Sequence, residues 1–162
     1  MQDFDDFWDI ALDICSQTKE EGTDSLVVDI HFVLGVIGSE SNNHAAGRMR
    51  KEKALELQKA TSKALDVRDV RLARCHRELG AALIHFREYD KAIEEIGKSI
   101  TIDKELGIYP SSWFCEINLG LAYLLKGDIV RADEVLTGTL ERREAKFGKL
   151  DEVDIRLVHI FF

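Results

Sequence analysis

Cys75-His76-Arg77-Glu78-Leu79-Gly80-Ala81-Ala82-Leu83 and Cys115-Glu116-Ile117-Asn118-Leu119-Gly120-Leu121-Ala122-Tyr123 are two copies of one pattern. They lie 40 residues apart, and Cys, Leu, Gly and Ala coincide between them. At the same offset Ala92 meets Ala132, Ile96 meets Leu136 and Ile100 meets Leu140. A third copy stands 45 residues upstream, matching His31 to His76, Leu34 to Leu79 and Gly35 to Gly80. The first segment echoes the fifth: Phe4-Asp5 aligns with Tyr89-Asp90, and Lys19-Glu20-x-Gly22 with Lys104-Glu105-x-Gly107. Self-similarity at a fixed period is the mark of a stacked-repeat architecture.

Between and around these copies the apolar spacing is helical. Phe4, Phe7, Trp8, Ala11 and Cys15 recur at steps of three and four, one face of a first helix that Gly22 ends. A second helix, from Thr23 or Ser25, carries Val27, Ile30, Val33, Leu34 and Ile37 and stops at Gly38 and the polar run 39–43. Further helices are predicted over 43–62, 66–87, 89–106, 111–126 and onward to about 146, with Gly127-Asp128 as a tight turn. No segment alternates as a strand does, so the fold class is all-α. A Leu-Gly pair inside a helix costs about 1 kcal/mol in propensity. Close approach of a second helix, carrying a small Ala, offsets it. Ile96, Ile100, Leu136 and Leu140 are then expected to fill the seam to the next hairpin.

The pattern x-x-Leu-Gly-x-x-[Leu/Tyr] followed by Ala-x-x-x-[Ile/Leu] resembles the tetratricopeptide repeat (TPR). It is clearest at Leu119-Gly120-x-x-Tyr123 with Ala132-x-x-x-Leu136, and good over 76–96; the copy at Leu34-Gly35 is degenerate, with Ala45 or Ala46 in the packing role. The long 40–45-residue period and the tail Leu140, Arg143, Glu144, Phe147, Gly148 resemble the kinesin-light-chain-like branch common in fungal proteins. The extra length is expected between hairpins, as at 107–112, with Pro110 in the linker. The resemblance implies a right-handed α-α superhelix of about 3.5 hairpins over 1–148: a half-repeat 4–22, a degenerate repeat 25–62 and repeats 67–106 and 111–147. Residues 149–162 are expected to be an incomplete terminal helix or tail, so that the chain reads as a truncated member, a fragment, or one whose Ile160-Phe161-Phe162 end docks on a partner or a second copy.

Composition agrees with one folded domain. The 162 residues are 45% hydrophobic and 32% charged, with a single proline. No apolar run reaches the length of a membrane span, and the acidic N-terminus is unlike a signal peptide, so a cytoplasmic protein is expected. Cys15, Cys75 and Cys115 form no CxxC pair and are expected as buried free thiols. The net charge of −8 is unevenly spread: residues 48–77 hold ten basic against four acidic residues, while 1–47 hold one against ten. That balance argues against nucleic acid and allows local docking of an acidic peptide.

No catalytic spacing, cofactor motif or metal-ligand cluster is visible. His31 and His76 share a repeat position and are expected to pack; the row Asp5, Asp9, Asp13 is expected to be a solvated helix face. Arg68, Arg71, Arg74 and Arg77 sweep round the fourth helix, either balancing the acidic first helix or forming a docking patch. The resemblance puts the first helix of each hairpin on a concave groove. The expected groove residues are Asp29, Phe32 and Val36, then Arg74, Arg77, Ala81, Ile84 and His85, then Phe114, Ile117, Asn118, Leu121 and Leu125. Asn118 matches an asparagine that contacts ligand backbone in peptide-binding members. A carboxylate clamp is not expected, because Ala81 stands where an asparagine is needed. The function implied is a non-catalytic protein–protein interaction module for a peptide or protein, acidic in the docking-patch reading. The alternatives are self-association through the C-terminal end and a regulatory fragment of a larger signalling protein.

Overall fold

The computed structural model describes residues 2–18, 23–64, 69–108 and 113–148, with side chains excluded at 2–9 and 64. The described residues form seven α-helices: α1 (Gln2–Gln17), α2 (Thr23–Glu40), α3 (His44–Ala64), α4 (Val70–His85), α5 (Tyr89–Glu105), α6 (Trp113–Lys126) and α7 (Ile129–Phe147). No strand occurs among the described residues. The fold is all-α, as the periodicity predicts. Each helix packs on its chain neighbour, most extensively within the pairs α2–α3, α4–α5 and α6–α7, and α4 also touches α6. Pro110, Gly22, Arg68 and the tail 149–162 lie outside the described residues, as do the side chains of Phe4, Phe7, Trp8, Asp5 and Asp9.

Three hairpins turn in the same way. Asn42, Arg87 and Gly127, spaced 45 and 40 apart, all have positive φ (64°, 59° and 89°). The next backbone N–H, of Asn43, Glu88 or Asp128, donates to the carbonyl of Gly38, Leu83 or Tyr123 at 2.8, 3.1 and 2.9 Å. This left-handed bend satisfies carbonyls that the ending helix would otherwise leave open. The second helix then starts on a polar residue: Asn43 and Asp128 accept from the backbone N–H three residues on, of Ala46 and Arg131.

Glycine sets the distance between the two helices of each hairpin. A methyl group on Gly80 would lie 2.5 Å from Ile96 Cγ1, one on Gly120 2.5 Å from Leu136 Cγ, and one on Gly35 2.6 Å from Lys51 Cγ. The contact falls sixteen residues on in every case, so the three hairpins share one register. That register corrects two expectations. The packing residue of the degenerate copy is neither Ala45 nor Ala46 but Gly47, whose backbone faces Gly35 as that of Ala92 faces Gly80. Ile96 fills the seam inside its own hairpin, where it is fully buried and contributes about 2–3 kcal/mol of apolar burial. Leu136 and Leu140 remain 36% and 42% exposed.

Smaller corrections concern boundaries and faces. α2 runs past Gly38 to Glu40, and its buried face centres on Val28, Ile30, Phe32 and Leu34 while Val33 points to solvent. α3 is four residues longer than α5, 21 against 17. Part of the extra period is therefore helix rather than linker. α4 begins at Val70, where Asp69 caps it by accepting from the Leu72 N–H at 2.8 Å.

Several core positions are polar. Lys51 occupies the slot of Ile96 and Leu136, and burial lowers its pKa against the pull of Glu78 and Glu40. One slot in the first helix of each hairpin holds His31, His76 or Glu116, all buried. His76 Nδ1 meets Glu95 Oε2 at 2.6 Å, and Arg142 donates to Glu116 at 2.6 Å. Burial works against ionisation of Glu95, but hydrogen bonds from His76 and Lys98 prevail and hold its carboxyl at about 2. Among the described residues the buried Nδ1 of His31 has no hydrogen-bond partner, and burial, Arg50 and Lys53 all lower its pKa.

Candidate functional site

The first helices of the hairpins, α2, α4 and α6, carry the residues that sequence reasoning assigns to a groove. α4 and α6 touch, and the shared register sets Arg74, Arg77 and Ala81 of α4 at the positions of Phe114, Ile117 and Leu121 of α6. α2 joins α4 through side chains. Arg71 bonds the Ser25 hydroxyl, donates to the Ser25 carbonyl at 2.9 Å and pairs with Asp29 at 2.7 Å. The Arg74 guanidinium lies over the Phe32 ring, 3.6 Å from its centroid. Such stacking is worth about 0.5–2 kcal/mol and holds a cation in place without neutralising it.

Beneath Arg74 is a pocket of about 230 Å³ lined by Val28, Asp29, Phe32, Arg71, Arg74 and Cys75. Its floor is apolar and buried, and its rim is charged. The Cys75 thiol is pushed up to about 11 by burial, a shift that Arg74 and Arg71 only partly oppose. Burial likewise raises Cys115, which donates weakly to Ser99 at 3.8 Å. Both cysteines therefore stay protonated at neutral pH and act as packing residues. Cys15, also free, is buried against Ile30 and Leu34 where α1 meets α2.

The expected groove residues divide. Arg74 and Phe114 are exposed, and Ile117, Asn118 and Leu121 are half-buried. Arg77 is half-buried, with Nε 3.8 Å from Glu78 Oε1. Its charge acts on Cys115 of α6, so it lies toward the α4–α6 seam. His85 is not with this group. It stacks on His44 of α3, centroids 5.0 Å apart, eleven residues and about 16 Å along α4 from Arg74. Burial, His44 and Lys51 lower its pKa. Phe32 and Ile84 belong to the core, since both side chains are buried in the main cluster. Arg71 pairs with Asp29 of α2, the helix on which α1 packs; the acidic side chains at 3, 5, 6 and 9 of α1 lie outside the described residues.

The Phe32–Arg74 stack and the pocket under it are the feature that sequence reasoning missed. Both residues stood among the expected groove residues, but their mutual contact depends on how α2 and α4 are set side by side.

Among the described residues, no cluster of three His, Cys, Asp or Glu side chains is placed to hold a metal ion. No helix among them is long and apolar enough to cross a membrane. No protein-family model matches the chain, and no curated protein matches it.

Proposed function

We propose that this chain is a tetratricopeptide-type scaffold of the kinesin-light-chain-like branch. Its α2, α4 and α6 present a groove to an acidic peptide or acidic protein segment, and it performs no catalysis of its own. The support for the repeat class is the common register: three hairpins with one turn geometry and one glycine contact sixteen residues apart. The single observation that carries the ligand class is Arg74. Its guanidinium is exposed and stacked on Phe32, with no carboxylate partner among the described residues. A fixed cation beside an apolar pocket recruits a carboxylate next to an apolar side chain. The proposed setting is the cytoplasm, with neither nucleic acid nor membrane as partner.

Selection from a displayed random peptide library tests this. The wild-type chain should enrich peptides of net negative charge, and Arg74→Glu should lose them while its helical circular dichroism is unchanged. Enrichment without acidic bias, or acidic peptides held equally by Arg74→Glu, would count against the groove as the reader.

A further inference from the structure

We propose that the joint between the first two hairpins is an acid-sensitive contact: His44 of α3 and His85 of α4 hold the hairpins together while both rings are neutral and push them apart once both are protonated. The two imidazoles stack with centroids 5.0 Å apart and planes 11° from parallel. The next joint is built without imidazoles. Forty-five residues on from His44 stands Tyr89, and forty on from His85 stands Leu125. Asp90, beside Tyr89, is bonded by Lys126, beside Leu125, so α5 and α6 meet there as α3 and α4 do. Tyr89 packs on the core. Apolar side chains therefore stand at the second joint, and titratable ones at the first.

The surroundings oppose a positive charge on the pair. From α3, Lys51 is buried nearby and Arg48 lies over the ring of Phe86, the residue after His85. The carboxylates of the region are already engaged. The turn carries exposed Arg87 and Glu88, which binds Arg48 and Lys91; Glu52 of α3 also binds Arg48. Glu78 of α4 lies 3.9 Å from Lys51 and 3.8 Å from Arg77. Glu40, at the end of α2, acts on Lys51, and Lys126 of α6 is paired with Asp90 of α5. Burial first, and then His44 and Lys51, disfavour a proton on His85. His76 of the second hairpin differs, because Glu95 meets it at 2.6 Å. A separated pair escapes the repulsion, so the open joint takes up protons more readily than the closed one. The contact is therefore lost as pH falls below the ordinary histidine value of 6.5. Because α2 and α3 pack as one hairpin, loosening α3 from α4 also frees Phe32 of α2 from Arg74 of α4.

Amide hydrogen exchange of the full chain, corrected for the pH dependence of intrinsic exchange, tests the joint, with α5 and α6 as internal reference. Between about pH 7.5 and 5.5 the wild type should lose protection in α3 and α4, by at most about tenfold per pH unit for each proton the open joint gains, and keep it in α5 and α6. His44→Tyr with His85→Leu, which transplants the residues of the second joint, should be flat over the same range. Should that double variant fail to fold, His85→Glu, at an exposed position, gives an independent reading. A carboxylate facing His44 should reverse the sign, so that protection of α3 and α4 grows on mild acidification. Wild-type protection that does not change over this range overturns the proposal. A loss that persists in the double variant also overturns it, because another group, such as buried His31, then carries the response. So does a loss shared equally by α5 and α6, since the whole fold rather than the joint is then responding.

Discussion

One methyl group added to α4 and one added to α5 should move stability in opposite directions. Glycine inside a helix costs about 1 kcal/mol relative to alanine. At Gly97 a new Cβ meets nothing within 4 Å, so Gly97→Ala should gain about 0.5–1 kcal/mol. At Gly80 the same atom lands 2.5 Å from Ile96 Cγ1 and 3.2 Å from both the Ala92 carbonyl oxygen and the Ile96 nitrogen. Ile96 is fully buried and cannot swing aside, so relief requires α4 and α5 to separate. Overpacking of this kind costs about 1–3 kcal/mol, and separating two backbones belongs at the upper end. Offset by the propensity gain, Gly80→Ala should lose about 1–2 kcal/mol. The two variants should therefore differ by about 2–3 kcal/mol. Urea unfolding followed by far-UV circular dichroism resolves that gap, with the midpoint shifting and the slope unchanged. Gly120→Ala should fall between them, because Leu136 is partly exposed and free to move. Gly80→Ala at or above wild-type stability would refute the shared close contact.

Two further predictions concern buried charge. Lys51→Ile should raise stability by about 1–3 kcal/mol, since the slot already accepts Ile96 against Gly80 and the buried amine is replaced by an apolar group. Because the folded state lowers the Lys51 pKa, the unfolded chain binds more protons on the alkaline side; wild-type stability should rise as pH climbs toward 10.5, and denaturation of Lys51→Ile should lack that rise. Glu95 has the opposite sense: a carboxyl held at about 2 against an ordinary 4.5 contributes about 3 kcal/mol above pH 4.5, lost as pH falls toward 2. Glu95→Gln should remove that acid-side loss in a pH-resolved thermal melt.

Much of this was legible in residue types alone. Leu-Gly and the Ala twelve residues later fix both helices of a hairpin and their contact, because only small residues allow that approach. The seven helices follow from the same periodicity. What escaped was direction. Neighbouring helix residues point about 100° apart, so Phe32 and Ile84 fit a groove or a core equally well until the adjacent helix is in place. Polar residues hid the first hairpin: Lys51 where Ile or Leu is expected, and Gly47 for Ala, leave no apolar phase to read. The same holds for the site. Arg74 carries its meaning only through the ring of Phe32, 42 positions earlier and on another helix.

The unequal intervals between the three left-handed turns, 45 and then 40 residues, have a bearing on how such a chain tolerates changes of length. A single residue inserted between Gly80 and Ile96 would rotate everything beyond it by about 100° and break the glycine contact. α3 instead carries its surplus as four extra residues, close to one whole turn, without disturbing Gly47, Lys51 or the turn at Asn42. Insertions and deletions in this lineage should therefore come in steps of about one helical turn, at the end of a hairpin's second helix, and each hairpin can drift in length while its neighbours keep their phase.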